Sequence, residues 1–391
     1  GAHRAPAHVV MWETMKLLYP IAGVALIAPS PLFAQSANQP PVSAPAPDAA
    51  ATPDADGTVV VTAMRAPVAI DRVAASVTVL DKNAIDRAGD MSVSDLLLRT
   101  PGVTMSRNGG YGTATSLRIR GAESDQTVVV IDGVKLNDPS ATGGGYNFAN
   151  LLTGDAGRIE VLRGPQSILW GSQAIGGVVN VVTPLPEKRL EGSFDIEAGS
   201  RDTVSARAAI GGNDGPLAWR VGGQAFTTRG ISAIAPDFGG RELDGYTNRS
   251  IAGRAVLTIT PNVSAELRGY YANGRAGIDG FSGDTPEYTL NREFVGYAGL
   301  NVALLDGRFR NRFAYGYTNT DRDNYNPARA RTLTFDAAGR NERLEYQGSF
   351  AIARGVDAVF GAENEVSRFR SVSPAASLSV PIPAPARGRA E

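Results

Sequence analysis

Val128-Val129-Val130-Ile131-Asp132-Gly133-Val134-Lys135-Leu136 reads as two β-runs joined by a two-residue turn. A type I′ hairpin turn needs positive φ at both central residues, and Asp-Gly accepts that. On the N-terminal side, Leu117-Arg118-Ile119-Arg120-Gly121 alternates strictly, as a half-buried strand does. Before it, Ser76 to Leu80 predicts a strand, and Asp81 caps a short helix through Asp86. Ser92 or Ser94 starts a second helix over Asp95 to Leu98, ended by Thr100-Pro101-Gly102, and Val103 to Met105 follows as a strand. On the C-terminal side, Gly157 to Arg163 is a strand turning at Gly164-Pro165. Ser167 to Trp170 is one helical turn, and Val178 to Val182 is another strand. Residues 57–186 are therefore expected to form a small α+β domain rich in glycine turns. It contains no Gly-x-x-x-x-Gly-Lys, Gly-x-Gly-x-x-Gly or Gly-x-Ser-x-Gly motif.

From Leu190 the pattern changes to long period-2 segments. Phe194, Ile196 and Ala198 alternate with Ser193, Asp195 and Glu197. Phe309, Phe313, Tyr315 and Tyr317 face away from Arg308, Arg310 and Arg312; Leu344, Tyr346, Phe350 and Ile352 face away from Arg343, Glu345, Gln347 and Ser349. There are about nine such segments up to Arg368. Two antiparallel architectures alternate in this way. A soluble sandwich buries the apolar face, and a transmembrane barrel turns it to lipid. Short turns at Asn213-Asp214-Gly215, Pro261-Asn262 and Asp306-Gly307 interleave with long connections near 230–248, 274–291 and 321–341. That asymmetry is the barrel's. Residues 190–369 are thus read as a partial transmembrane β-barrel, and the Pro-rich stretch 370–391 as a tail outside it.

The N-terminal region agrees with export. Met15-Lys16, the apolar Leu17 to Ile27 and the Leu32-Phe33-Ala34 cleavage region predict a signal peptide over 15–34, with 1–14 an upstream extension. Residues 35–56 are rich in Pro and Ala and read as a disordered linker. The chain has 391 residues, no cysteine and two histidines, and both histidines precede Met15. A chain matured after residue 34 would have neither, which excludes thiolate and His-ligated zinc sites and Ser-His-Asp chemistry. A carboxylate-only hydrolase stays open on composition alone, but no enzyme is expected. The net charge of -1 gives no global basic field, and no nucleic-acid partner is expected. Thr58-Val59-Val60-Val61-Thr62-Ala63 is a β-prone run directly after the linker, suited either to pairing with another sheet edge or to opening the next domain.

The ordered motifs Leu96-Leu97-Leu98-Arg99-Thr100-Pro101-Gly102-Val103, Leu117 to Gly121, Val130 to Val134, Ile159 to Pro165 and Ala174 to Thr183 resemble the plug domain of TonB-dependent outer-membrane receptors. The resemblance implies an active importer in the outer membrane of a Gram-negative bacterium, with a plug inside a barrel. It makes Thr58, Val59, Val60, Val61, Thr62 and Ala63 the TonB box, read by a TonB-type periplasmic energy transducer. Arg118, Arg120, Glu160 and Arg163 are expected to serve plug architecture. The family closes its barrel with about twenty-two strands. Nine strands would leave open edges in lipid, so a truncated or frame-shifted receptor gene is expected.

Within that family, Gly57 to Ala63, Asn108-Gly109-Gly110 and Tyr315 to Pro327 are most similar to the cobalamin receptors. Cobalamin or another corrinoid is the expected cargo, with a ferric siderophore as the alternative; the substrate-binding residues are not assigned. The same resemblance points to calcium in the early outer loops. Glu242, Asp244, Asp279 and Asp237 are the candidate ligands, because calcium takes several hard oxygen donors. No cofactor is required for the transport itself.

Overall fold

The computed structural model describes residues 60–61, 65 and 68–390, apart from 155, 281–282 and 354–355. The expected signal peptide and linker lie outside the described residues, as do Thr58, Val59, Thr62 and Ala63. Strands β1 (Val60–Val61) and β2 (Val68–Ala69) pair antiparallel, with Val60 opposite Ala69.

The N-terminal domain is built on a five-stranded mixed sheet. Its strands are β3 (Ser76–Asp81), β6 (Thr127–Ile131), β7 (Val134–Leu136), β8 (Arg158–Arg163) and β9 (Gly177–Val182), in the spatial order β3-β8-β9-β6-β7. Only β6 and β9 run parallel. A separate hairpin joins β4 (Val103–Arg107) to β5 (Thr115–Ile119). The β6–β7 turn is the one expected from Asp-Gly: Asp132 has φ 48° and Gly133 φ 83°. Helix α1 (Lys82–Ala88) starts where Asp81 accepts the Ala84 N–H at 2.7 Å, and it stops at the left-handed Gly89. Helix α2 (Val93–Leu97) is capped by Ser92, which accepts the Asp95 N–H at 3.1 Å. A one-turn helix, α3 (Ser167–Trp170), precedes β9. Leu96, Leu97, Leu117, Ile119, Val129, Ile159, Val161 and Val179 fill the core between these layers.

The second unit is one antiparallel sheet whose strands pair in chain order. They are β10 (Glu191–Gly199), β11 (Thr203–Asp214), β12 (Leu217–Ile231), β13 (Asp244–Thr260), β14 (Val263–Gly280), β15 (Gly283–Leu304), β16 (Phe309–Tyr325), β17 (Leu333–Ala353), β18 (Val356–Val372) and β19 (Ala386–Ala390). Among the described residues the sheet does not close on itself, since β10 and β19 are not paired with each other. The alternation reads true. Phe194, Ile196, Leu267 and Leu344 are exposed on one face, while Gln224, Arg254, Glu266, Glu293 and Arg343 are buried on the other, against the N-terminal domain. The fold is an α+β domain seated against the polar face of an antiparallel wall.

Two expectations are corrected. The connections expected to be long are mostly strand. β13 to β18 run 17–22 residues, whereas about ten cross a bilayer. Backbone groups along these hairpins stay paired with the neighbouring strand beyond that length. The stretch 370–391 is not wholly outside the sheet either. β18 reaches Val372, and Ala386–Ala390 pairs with Ser367–Ser371. An Arg-Gly-Arg segment with few apolar residues gave no alternation to read, yet main-chain pairing along an edge needs none.

Candidate functional site

Three contact zones tie the N-terminal domain to the wall. In the first, Glu266 on β14 takes two arginines. Arg254 Nε and Arg268 Nε each donate to its Oε1 at 2.7 Å. Arg254 also donates to the Thr183 carbonyl at 3.3 Å and lies 3.9 Å from Asp132, so the β6–β7 turn is held to the wall. Arg268 stacks on Tyr297 at 4.5 Å. In the second zone, the Tyr146 hydroxyl donates to Glu293 at 3.0 Å, and the Tyr246 hydroxyl donates to Asn150 at 3.0 Å. Burial, and then the nearby Glu293, push the Tyr146 hydroxyl well above its ordinary value. In the third, Arg343 bonds Glu365 and lies 3.2 Å from Glu363, while Lys135 Nζ approaches Glu365 at 4.0 Å. Burial lowers the Lys135 ammonium below its usual value, and Glu365 works against that shift. Arg65 joins this zone. It lies 2.9 Å from Glu363 and 3.8 Å from Glu345, and its guanidinium sits 4.5 Å from the Trp170 ring. Gln347 donates to the Arg65 carbonyl at 2.9 Å. Arg65, four residues after Val61 in the chain, is therefore fixed to the wall.

An acidic cluster lies at the other end of the strands. Oxygens of Glu242, Asp244 and Asp279 come within 4.8 Å of one another. Asp244 accepts the Ala233 N–H at 2.8 Å and Asp279 the Thr285 N–H at 3.1 Å. Asp284 accepts the N–H groups of Arg241 and Glu242 at 2.6 and 3.1 Å, which pins the loop carrying Glu242. Asp279 Oδ2 and Asp284 Oδ1 are buried without a hydrogen-bond partner among the described residues. Burial, then Asp284, Asp244 and Asp279, raise the Glu242 carboxyl above its ordinary value. The β4–β5 hairpin tip reaches this region. A Cβ added at Gly110 would stand 3.8 Å from the Asp244 carbonyl, and one at Gly112 would collide with the Tyr246 ring.

Residues 69–178 match the family described as TonB-dependent Receptor Plug Domain. These residues are a TonB-dependent receptor plug. The chain is also 30% identical over 272 residues to the vitamin B12 transporter BtuB of Photobacterium profundum; the match covers 69% of this chain and 44% of that protein. The chain thus spans less than half the length of this relative. Among solved structures it is similar to the ferric yersiniabactin uptake receptor FyuA of Yersinia pestis, with 21% identity, TM-score 0.62 and coverage of 76% of this chain and 49% of that one. It is likewise similar to the ferripyoverdine receptor of Pseudomonas aeruginosa, with 15% identity, TM-score 0.66 and coverage of 81% and 46%. At these identities the likeness is one of fold: a plug against an antiparallel wall.

Of the acids expected from sequence, the structure brings Glu242, Asp244 and Asp279 together and leaves Asp237 out. Asp237 is exposed in the single turn Pro236–Phe238, where Pro236 starts the turn and the left-handed Gly239 ends it. Asp284 was missed. Its signal is the pairing of Gly280 with Gly283, which folds the hairpin so that Asp284 returns beside Asp279. Of the six box residues, only the Val60–Val61 backbone is described, as β1. Glu160 is fully buried with Arg158 and Asn180, and Arg163 bonds the Pro101 carbonyl and Thr78, so both are plug-building residues. Arg118 lies 3.6 Å from Glu123, and the Arg120 N–H donates to the Gly102 carbonyl.

Proposed function

We propose that this chain acts in TonB-dependent import of a corrinoid across the outer membrane of a Gram-negative bacterium. The observation that carries this reading is the 30% identity to a vitamin B12 transporter, running over 69% of the chain and so through both plug and wall. The plug sits on a family of transport receptors, not of enzymes. In this reading Thr58 to Ala63 is the strand offered to the periplasmic transducer, and Arg65 marks where a pull on that strand meets the wall. The outward apolar face lies in outer-membrane lipid. Cargo enters from the end that carries the acidic cluster and the β4–β5 tip.

The acidic cluster fits calcium. Its donors are all carboxylate oxygens, and Asp279 Oδ2 and Asp284 Oδ1 are buried without a hydrogen-bond partner among the described residues. Glu242, Asp244 and Asp279 would hold the ion, with Asp284 supporting the Glu242 loop. Bound calcium neutralises mutually repelling acids. This chain's residues then keep the 232–243 loop against the β14–β15 hairpin, beside the plug tip.

A ferric siderophore is the second reading, favoured by the solved receptors named for such cargo. Cells lacking their own corrinoid receptor, and carrying this chain, should bind labelled cobalamin and not a panel of ferric siderophores. The reverse pattern would assign the siderophore role, and surface binding of neither would remove both.

A further inference from the structure

The outward face of the wall carries a basic cluster that the transport reading does not use. Arg249, Asn273 and Arg292 stand side by side in register across β13, β14 and β15. Arg275 lies two residues along β14 from Asn273, on the same face. Their sequence neighbours Asn248, Ala272, Ala276 and Glu293 are buried against the plug, so these four side chains point away from it. Neighbouring strands are about 4.8 Å apart, so the three-residue row spans roughly 10 Å.

The next row toward the short turns is Ile251, Tyr271 and Phe294, also in register and all exposed. A band of donors therefore sits directly beyond the edge of an apolar band. Farther round the wall such arginines are neutralised. Arg370 pairs with Asp336 at 2.7 Å and Arg368 with Glu342 at 2.9 Å. Arg292 likewise pairs with Asp323 at 2.9 Å. Among the described residues, Arg249 and Arg275 make no ion pair. Arg275 is held in place from one side, over the Tyr288 ring at 4.1 Å, and Tyr288 stacks on Tyr325.

We propose that Arg249 and Arg275, with Asn273, bind the phosphate groups of a lipid in the leaflet at the acidic-cluster end, while its acyl chains lie on Ile251, Tyr271 and Phe294. Guanidinium groups suit phosphate because they present paired donors in a plane. Clustered basic residues at a membrane surface attract anionic headgroups. The apolar row fixes the source as a lipid. A free phosphate would gain nothing from Ile251 or Phe294. The inference rests on the reading of the outward face as lipid-exposed.

The test uses the full chain reconstituted in phosphatidylcholine nanodiscs doped with diphosphoryl lipid A. Parallel discs carry the same acyl chains without phosphate. Lipid retained after detergent extraction is counted by mass spectrometry of the intact complex. Retention should require the phosphates, and Arg249→Gln/Arg275→Gln should retain about thirtyfold less, as expected for two lost arginine–phosphate contacts. Arg249→Lys/Arg275→Lys should recover part of it, and Arg370→Gln, at a paired arginine of the same face, should match the parent. Equal retention of both lipids, or by the parent and the double Gln variant, overturns the site. Displacement by inorganic pyrophosphate with no dependence on the acyl chains overturns the lipid assignment. A chain that never enters the discs overturns the lipid-exposed reading together with the site, and that outcome is seen before any lipid is counted.

Discussion

Glu242 is a glutamate among aspartates, and its neighbours determine what it does. Without a cation the fold raises its carboxyl, first by burial and then by Asp284, Asp244 and Asp279. A carboxyl raised in the folded state binds its proton more tightly there than in the unfolded chain. The ion-free loop is therefore most stable at low pH and loses stability as pH rises through the folded value. The window lies above the ordinary glutamate value of about 4.3. Calcium needs the ionised form, so its effect has the opposite slope. The calcium-induced rise in thermal midpoint should grow with pH across that window, and Asp244→Asn should abolish it at every pH. A rise independent of pH would separate Glu242 from the ion. Glu266 presents the reverse balance, with one acid between two buried arginines. Glu266→Leu leaves Arg254 and Arg268 buried without their carboxylate. By denaturant titration it should cost about 3–5 kcal/mol, far more than a variant at a surface pair such as Asp202→Ala beside Arg229. The type of these residues was legible in sequence, and their company only partly. Asp244 and Asp279 stood out as loop acids, but Asp284 needed the β14–β15 register, and Asp237 looked equivalent although it lies exposed in its own turn.

At the scale of elements, the plug strands and helices were readable because each carries its own stop signal. Asp81 and Ser92 cap helices, Thr100-Pro101-Gly102 ends one, and Asp132-Gly133 turns a hairpin. Edge pairing was harder to read. β19 joins the sheet with almost no apolar content, and β1 pairs with β2 over only two residues. Main-chain hydrogen bonds hold such strands and leave little trace in side-chain pattern. The same fact makes the box testable. An added strand tolerates most side-chain changes but not a missing N–H. In a full-length receptor carrying these residues, Val60→Pro should abolish uptake of the proposed corrinoid in intact cells while leaving surface binding nearly unchanged, and Val60→Ala should be mild. Normal import by the proline variant would remove the box assignment. Loss of binding as well would make Val60 a structural strand of the plug.

At the scale of the whole molecule, one pattern organises both faces of the wall. Polar side chains every second residue face the plug, and apolar ones between them face outward, to lipid in the proposed reading. That pattern was legible from Leu190 onward, because period-2 alternation needs no knowledge of the partner. Which face is enclosed was read from the alternation of short and long turns, and the plug sequence named what it encloses. On β14 the outward residues are Val263, Ala265, Leu267, Gly269 and Tyr271, and then Asn273 and Arg275. The apolar part is centred on Leu267, which is 61% exposed and has Ala255 and Ala298 beside it in register. An arginine on the lipid face of a barrel costs about 2–4 kcal/mol at the bilayer midplane and falls to about 0–1 near the interface. Leu267→Arg should therefore lower stability by that larger amount when unfolding is measured in lipid vesicles. Asn273→Arg, six residues along the same face, should cost almost nothing. In a wall whose outward face met water, Leu267→Arg would be as mild as Asn273→Arg, because an exposed leucine in water has no burial to lose. The difference between the two variants, measured in the same vesicles, thus reports which solvent the apolar face meets.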